Sequence, residues 1–236
     1  MRKYIILNLV LFVSVFTSSG QTFKQVLNKM NNKLTEASPL HFNTKYNLYR
    51  DEKAKVIFQS YDGQFQKSSQ NEIYMKIDNT EFINSKKSSL KVNHTQKAIL
   101  VTDPQPFTIG EFDMGKLADF CKVKSFKDFK SYWELVLEPT AFSGLNYSSI
   151  VVWINKDYTL KRQVFFYNTG IDLSSDYRKQ DITHPRLEIH YSNYNQKVPD
   201  IIKLGGGFFV SFTKANKAVP SNKYKSYEII DRRTVR

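Results

Sequence analysis

Residues 132–139 read Tyr-Trp-Glu-Leu-Val-Leu-Glu-Pro, residues 149–157 Ser-Ile-Val-Val-Trp-Ile-Asn-Lys-Asp, and residues 159–168 Thr-Leu-Lys-Arg-Gln-Val-Phe-Phe-Tyr-Asn. Apolar residues alternate in Trp133, Leu135 and Leu137, again in Ile150, Val152 and Ile154, and again in Leu160, Val164 and Phe166. That period of two gives three successive strands with one apolar face each. The other face is not cleanly polar, because Val136, Val151, Trp153, Phe165 and Tyr167 fall on it. A sheet with one wet face would not need them. Something apolar, a helix or a ligand, must cover part of the second face.

Working back toward the N-terminus, residues 22–36 read as a helix. Thr22 can cap it. Phe23, Val26, Leu27, Met30 and Leu34 follow helical spacing, with Lys24, Gln25, Asn28, Lys29 and Lys33 elsewhere on the cylinder. Burying such a stripe contributes about 10 kcal/mol before entropy. So short a helix does not persist alone, so it needs a sheet to lie on. Ser38-Pro39 ends it. The first twenty residues have the form of a signal peptide: Arg2 and Lys3, an apolar stretch from Tyr4 to Phe16, then Ser18-Ser19-Gly20. Export and a mature single domain over residues 21–236 are the expectation, with a C-terminal extension from about residue 201.

Strands are expected over 40–50, 55–66, 72–77, 81–84, 89–93 and 97–102, with Asp62-Gly63 marking a kink or tight turn. Phe112–Phe129 reads as a second, shorter helix. Met114, Leu117, Phe120 and Cys121 share one face of it, and lysines interleave with Phe126 and Phe129. Beyond the three opening strands, a polar loop over 172–183 leads to a strand over 184–194. Leu204-Gly205-Gly206-Gly207 bends into Phe208–Phe212, and a final strand is expected over 225–235. The fold class is mainly β (α+β). One strongly curved antiparallel sheet forms an incomplete β-barrel, with the N-terminal amphipathic helix and the short helical insert covering its open face.

The chain carries a formal charge of +13, of which Arg2 and Lys3 contribute two, and it has a single cysteine. One cysteine excludes a disulfide framework. Lysines interleaved with Phe would suit nucleic acid in a cytoplasmic protein. With export expected, anionic lipid head groups, an envelope protein or a plain solubilising surface fit better, and no nucleic-acid partner is expected.

Catalytic and metal signatures are weak. His184, Arg186, Glu188 and His190 alternate on one strand face opposite Leu187, Ile189 and Tyr191, and the two histidines lie about 20 Å apart along an extended strand. They cannot share one metal ion, and His41 and His94 have no acidic or cysteine neighbour in sequence. Gly205-Gly206-Gly207 lacks the Lys-Ser/Thr of a phosphate loop. Asp172, Asp176 and Asp181 miss the spacing of a calcium loop. Cys121 on an apolar face reads as inert packing. No catalytic residue, metal or cofactor is expected.

The order of elements resembles the outer-membrane lipoprotein carriers, the LolA-like and LolB-like superfamily. The residues that carry the resemblance are the exported helix Phe23 to Leu34, the strand 40–50, the meander to Asp103-Pro104, the Trp133–Pro139 strand, and the pair 150–155 and 160–168. It covers most of residues 22–196. The resemblance implies a periplasmic carrier or chaperone that holds lipid or lipoprotein acyl chains in an apolar cavity. On this reading Phe42, Tyr46, Leu135, Leu137, Val152 and Phe166 line the concave face, with Phe23, Leu27 and Met30 on the helical lid. No cysteine follows the signal segment, as an anchored acceptor would need, and the family's gating arginine has no match here. The alternatives are an envelope scaffold with a filled core and, more weakly, a hydrolase. A cleft with a histidine beside a carboxylate or serine would speak for the latter.

Overall fold

The computed structural model describes residues 21–36, 39–105, 119–174, 176, 178–196 and 207–234. Helix α1 runs Phe23–Thr35, with Thr22 as its N-cap. The Thr22 hydroxyl accepts from Gln25 N, and the Gln25 side chain accepts from Thr22 N, which closes a capping box. Among the described residues, sixteen strands follow α1: β1 Leu40–Tyr49, β2 Gln59–Lys67, β3 Ile73–Ile77, β4 Thr80–Asn84, β5 Ser89–Asn93, β6 Ala98–Thr102, β7 Cys121–Asp128, β8 Tyr132–Pro139, β9 Tyr147–Asn155, β10 Leu160–Tyr167, β11 Ile171–Asp172, β12 Ile182–Thr183, β13 Arg186–Asn195, β14 Val210–Phe212, β15 Ala218–Pro220 and β16 Glu228–Asp231.

Twelve of them make one curved sheet in the order β16-β6-β5-β4-β3-β2-β1-β13-β10-β9-β8-β7. Every pairing within it is antiparallel except β16 on β6. β7 and β16 are its two edges, so the described strands form an open sheet rather than a closed barrel.

Both faces are covered, by different parts of the chain. On the inner face, α1 packs Val26, Leu27, Met30 and Leu34 against Leu40, Phe42, Phe65, Trp133, Leu135, Leu137, Ile150, Val152, Ile154 and Leu160. On the outer face of β3–β6, Tyr74, Ile83, Val92, Ile99 and Val101 are covered by Phe209, Val210, Ala218 and Tyr224 from the C-terminal segment. That segment is fixed at its end by Arg233, which pairs with Asp231 at 2.7 Å, bonds Asn216 Oδ1 at 3.1 Å and lies 4.4 Å from the Phe212 ring centre. These two clusters account for much of the apolar content that a sheet with one wet face would not need.

Three sequence expectations are corrected. The helix expected over Phe112–Phe129 is a strand from Cys121 to Asp128, paired with β8 through Cys121 opposite Pro139 and Phe126 opposite Leu135. A register irregularity between Val123 and Ser125 brings both Val123 and Phe126 inward, while Lys122 and Lys127 turn out. Of the rest of that expected helix, 112–118 lies outside the described residues, and 119 and 120 are helical. Asp62-Gly63 is not a turn: Gly63 sits inside β2, opposite Thr44. A Cβ there would meet Thr44 Oγ1 at 2.4 Å and the Lys76 carbonyl at 2.9 Å, so glycine permits the close approach.

The third correction concerns β10. A register irregularity between Leu160 and Arg162 reverses the alternation. Gln163 and Phe165 therefore oppose Val152 and Ile150 on the inner face, and Val164 and Phe166 fall on the outer face with Arg162.

Candidate functional site

The inner face presents one continuous apolar surface roofed by α1. The roof is tethered by polar contacts at both ends. Gln21 Nε2 donates to Tyr158 Oη at 2.9 Å, and Lys29 Nζ to the same oxygen at 3.2 Å. Lys33 Nζ donates to the Asp157 carbonyl at 2.7 Å and pairs with its carboxylate at 3.6 Å. At the C-terminal end the ammonium of Lys67, a residue 1% exposed, donates to the Leu34 carbonyl at 2.6 Å and to the Glu36 carbonyl. These are orphan acceptors of the last helical turn, and a cation there also suits the helix dipole. Desolvation lowers the Lys67 pKa, and the nearby Glu36 charge opposes that shift.

Deeper on this face Tyr46, Tyr191 and Tyr194 gather near Phe42. Phe42 stacks on Phe65 at 4.6 Å and meets Tyr191 and Tyr194 at 5.7 and 5.0 Å. Tyr191 Oη donates to Gln163 Oε1 at 2.5 Å, and Tyr194 Oη to the Leu160 carbonyl at 2.9 Å. Burial raises the pKa of all three phenols, Tyr191 and Tyr194 most. Cys121 is buried at the edge of the same cluster, and desolvation pushes its thiol up as well, away from the thiolate form a nucleophile needs.

The residues expected to line a cavity are gathered here with one exception. Phe23, Leu27, Met30, Phe42, Tyr46, Leu135, Leu137 and Val152 belong to this single cluster. Phe166 does not; the β10 irregularity turns it outward, and Phe165 takes its place. Sequence reasoning left Leu187, Ile189, Tyr191 and Gln163 out of the site. Alternation of Leu187, Ile189 and Tyr191 against His184, Arg186, Glu188 and His190 was the available signal. Gln163 had none, being a polar residue carried inward by the reversed alternation.

The outer face is built differently. Glu188 is buried, and its carboxylate takes Arg162 at 2.5 Å, Arg186 at 3.0 Å and His190 at 3.4 Å. Arg162 lies 4.4 Å from the centre of the Trp153 ring and Arg186 4.1 Å from that of Tyr49. The strand face that carries Arg186, Glu188 and His190 is thus a clamp around one buried carboxylate. Beside it opens a groove of about 960 Å³, reaching across β13, β1, β2 and β3 and lined almost wholly by polar side chains. A second recess of about 510 Å³ lies between the Ser85–Ser88 turn and Phe208–Phe212 of the C-terminal segment.

Two histidines stand beside carboxylates. His94 Nε2 is 2.8 Å from Glu81 and Nδ1 is 2.9 Å from Tyr227 Oη, so both ring nitrogens are engaged and the trio ties the C-terminal segment to the sheet. His190 faces a Glu188 already held by two guanidiniums.

No protein-family model matches the sequence, and no curated protein matches it. Solved structures do. The chain is similar to an uncharacterized conserved protein from Thermus thermophilus, with 11% identity and a TM-score of 0.49 over 90% of this chain and 100% of that one. It is also similar to a LolA superfamily protein from Nitrosomonas europaea, with 9% identity and a TM-score of 0.35 over 78% and 98% of the two chains. A third is LprF from Mycobacterium bovis, with 13% identity and a TM-score of 0.34 over 78% and 97%. The second belongs to the superfamily whose element order the sequence resembles.

Proposed function

We propose that the chain is a non-enzymatic protein of the cell envelope, exported to the periplasm, that holds lipid or lipoprotein acyl chains between α1 and the inner face of the sheet. The observation that carries this reading is that, among the described residues, that face is covered incompletely. α1 buries the centre, but Tyr46, Met75, Val123, Phe126, Tyr167 and Leu187 around it stay only half-buried against the cluster. An apolar rim beside a helix tethered chiefly at its ends suits a ligand that slides under or displaces the helix. Binding would be driven by apolar burial, about 0.8 kcal/mol per methylene, so each added methylene should tighten binding about fourfold.

One observation favours a second reading, a scaffold with a permanently filled core: Val26, Leu27, Met30 and Leu34 are all 5% exposed or less. Native mass spectrometry of the gently purified protein, followed by titration with a series of fatty acids of increasing length, separates the two. A carrier retains lipid mass or binds the series with chain-length dependence. A protein free of lipid that binds none of the series supports the scaffold and ends the carrier reading.

A further inference from the structure

We propose that the outer-face groove is a binding site for an uncharged saccharide. It does not rest on the acyl-chain reading, because it lies on the opposite side of the sheet.

The register builds the groove from rows of polar side chains. Ser192 pairs with Asn43, Asn43 with Gln64 and Gln64 with Lys76, which makes one polar row across four strands. His190, Lys45 and Asp62 form the next row, and Asn47 with Ser60 the next. All of these residues line the groove. Four strands side by side span about 14 Å, room for several sugar rings end to end. Regular strands form most of the walls, so the polar groups are held in fixed positions before any ligand arrives.

The chemistry of the lining selects the ligand. Asn43, Asn47, Ser60, Gln64, Asn79 and Ser192 offer carboxamides and hydroxyls. These groups both donate and accept, as sugar hydroxyls require. Asn47 is only 7% exposed, and Ser60 Oγ donates to its Oδ1 at 2.8 Å, which fixes the carboxamide at the base of the groove. An acyl chain finds no aliphatic side chain larger than threonine among the lining residues, and the Tyr61 phenol and the His190 imidazole are the aromatic rings there. A polyanion finds no surplus charge, because Lys45 and Lys76 are balanced by Asp62 and Asp78, and Lys45 stands 3.9 Å from Asp62. The Glu188 clamp consumes the nearby guanidiniums and stiffens the β13 wall through His190.

The test is titration of the full chain with maltotetraose, cellotetraose and chitotetraose, followed by NMR of the side-chain amides. At least one tetrasaccharide should shift the Asn43, Asn47 and Gln64 amides saturably. Asn43→Ala and Gln64→Ala should each weaken that binding about fivefold, the worth of one neutral hydrogen bond, with the urea midpoint unchanged in Asn43→Ala. A fatty acid should leave these amides unmoved, so either site can fail without the other. The proposal is overturned if none of the three binds at about 10 mM, a weak-binding ceiling. It is equally overturned if only a sulfated oligosaccharide binds and salt abolishes that binding.

Discussion

Lys67→Met tests how the roof of the inner face is held. The substitution keeps the aliphatic stem and removes the ammonium that donates to the Leu34 and Glu36 carbonyls. Leu34 is buried, so its carbonyl loses a charged donor where water cannot readily replace it. Such a bond is worth about 1.5–3 kcal/mol. Glu36 is exposed, so water can take over at its carbonyl. The loss of a cation at the helix C-terminus adds about 0.5 kcal/mol. Against these stands the cost of holding an ammonium in a buried position, shown by the lowered Lys67 pKa. The net expectation is a destabilisation of about 2 kcal/mol, or a Tm lower by about 6 °C for a chain of this size.

The pH dependence has a definite sign. A lysine whose folded pKa is lowered binds its proton more weakly in the native state. Its contribution to stability therefore rises with pH from the folded pKa up to the ordinary lysine value of 10.5, and Lys67→Met abolishes that rise. Urea unfolding across alkaline pH reads the energy, and hydrogen exchange of the α1 amides reads its location. An unchanged midpoint together with unchanged exchange over Phe23–Thr35 would refute the idea that Lys67 locks the helix.

Other expectations follow from the same contacts. Tyr46, Tyr191 and Tyr194 have pKa values raised by burial, so their contribution is whole below pH 10 and is lost as pH climbs above it. Tyrosinate absorbance and far-ultraviolet dichroism should then change together above that pH, and Tyr191→Phe should weaken the coupling; three phenols titrating while the dichroism stays native would contradict this. Glu188→Gln leaves the Arg162 and Arg186 guanidiniums without their counter-charge and should cost about 3 kcal/mol in urea unfolding. Gly63→Ala drives a methyl against Thr44 Oγ1 and the Lys76 carbonyl and should cost about 2 kcal/mol; a variant as stable as the parent would show that β2 and β3 shift freely.

Alternation is what made most of this fold readable. Wherever strands run without irregularity, as in β8 and β9, period two placed Trp133, Leu135, Leu137, Ile150, Val152 and Ile154 on the inner face as expected. Helical spacing and a capping residue placed α1 within a residue of its ends. The failures have local causes. The irregularity after Leu160 leaves no mark in residue types, yet it exchanges Phe166 for Phe165. Along 121–128, lysines recur at a spacing compatible with a helix, and only the partner strand β8 decides for a strand. Gly63 beside Asp62 has turn chemistry, but its role comes from Thr44 across the ladder, a contact distant in sequence. The C-terminal segment had no legible role because its apolar residues are spread among Phe208–Val210, Ala218 and Tyr224, and only pairing of β16 with β6 brings them over the sheet.

The two-sided cover also divides the labour of the molecule. The C-terminal segment is fastened at Arg233–Asp231 and at the Glu81–His94–Tyr227 trio, and its strand β16 continues the sheet itself. Removing it would uncover an apolar outer face and break a ladder. α1 adds no strand. It is held by its stripe and by contacts at Tyr158, Asp157 and Lys67, so its release breaks no ladder hydrogen bond. Opening at α1 therefore costs the molecule less of its backbone pairing than opening at the C-terminal segment, and local opening favours elements of low coupling. If either cover moves to admit an apolar ligand, it is α1, which confines that site to the inner face. The outer groove, walled largely by four paired strands, needs no such motion.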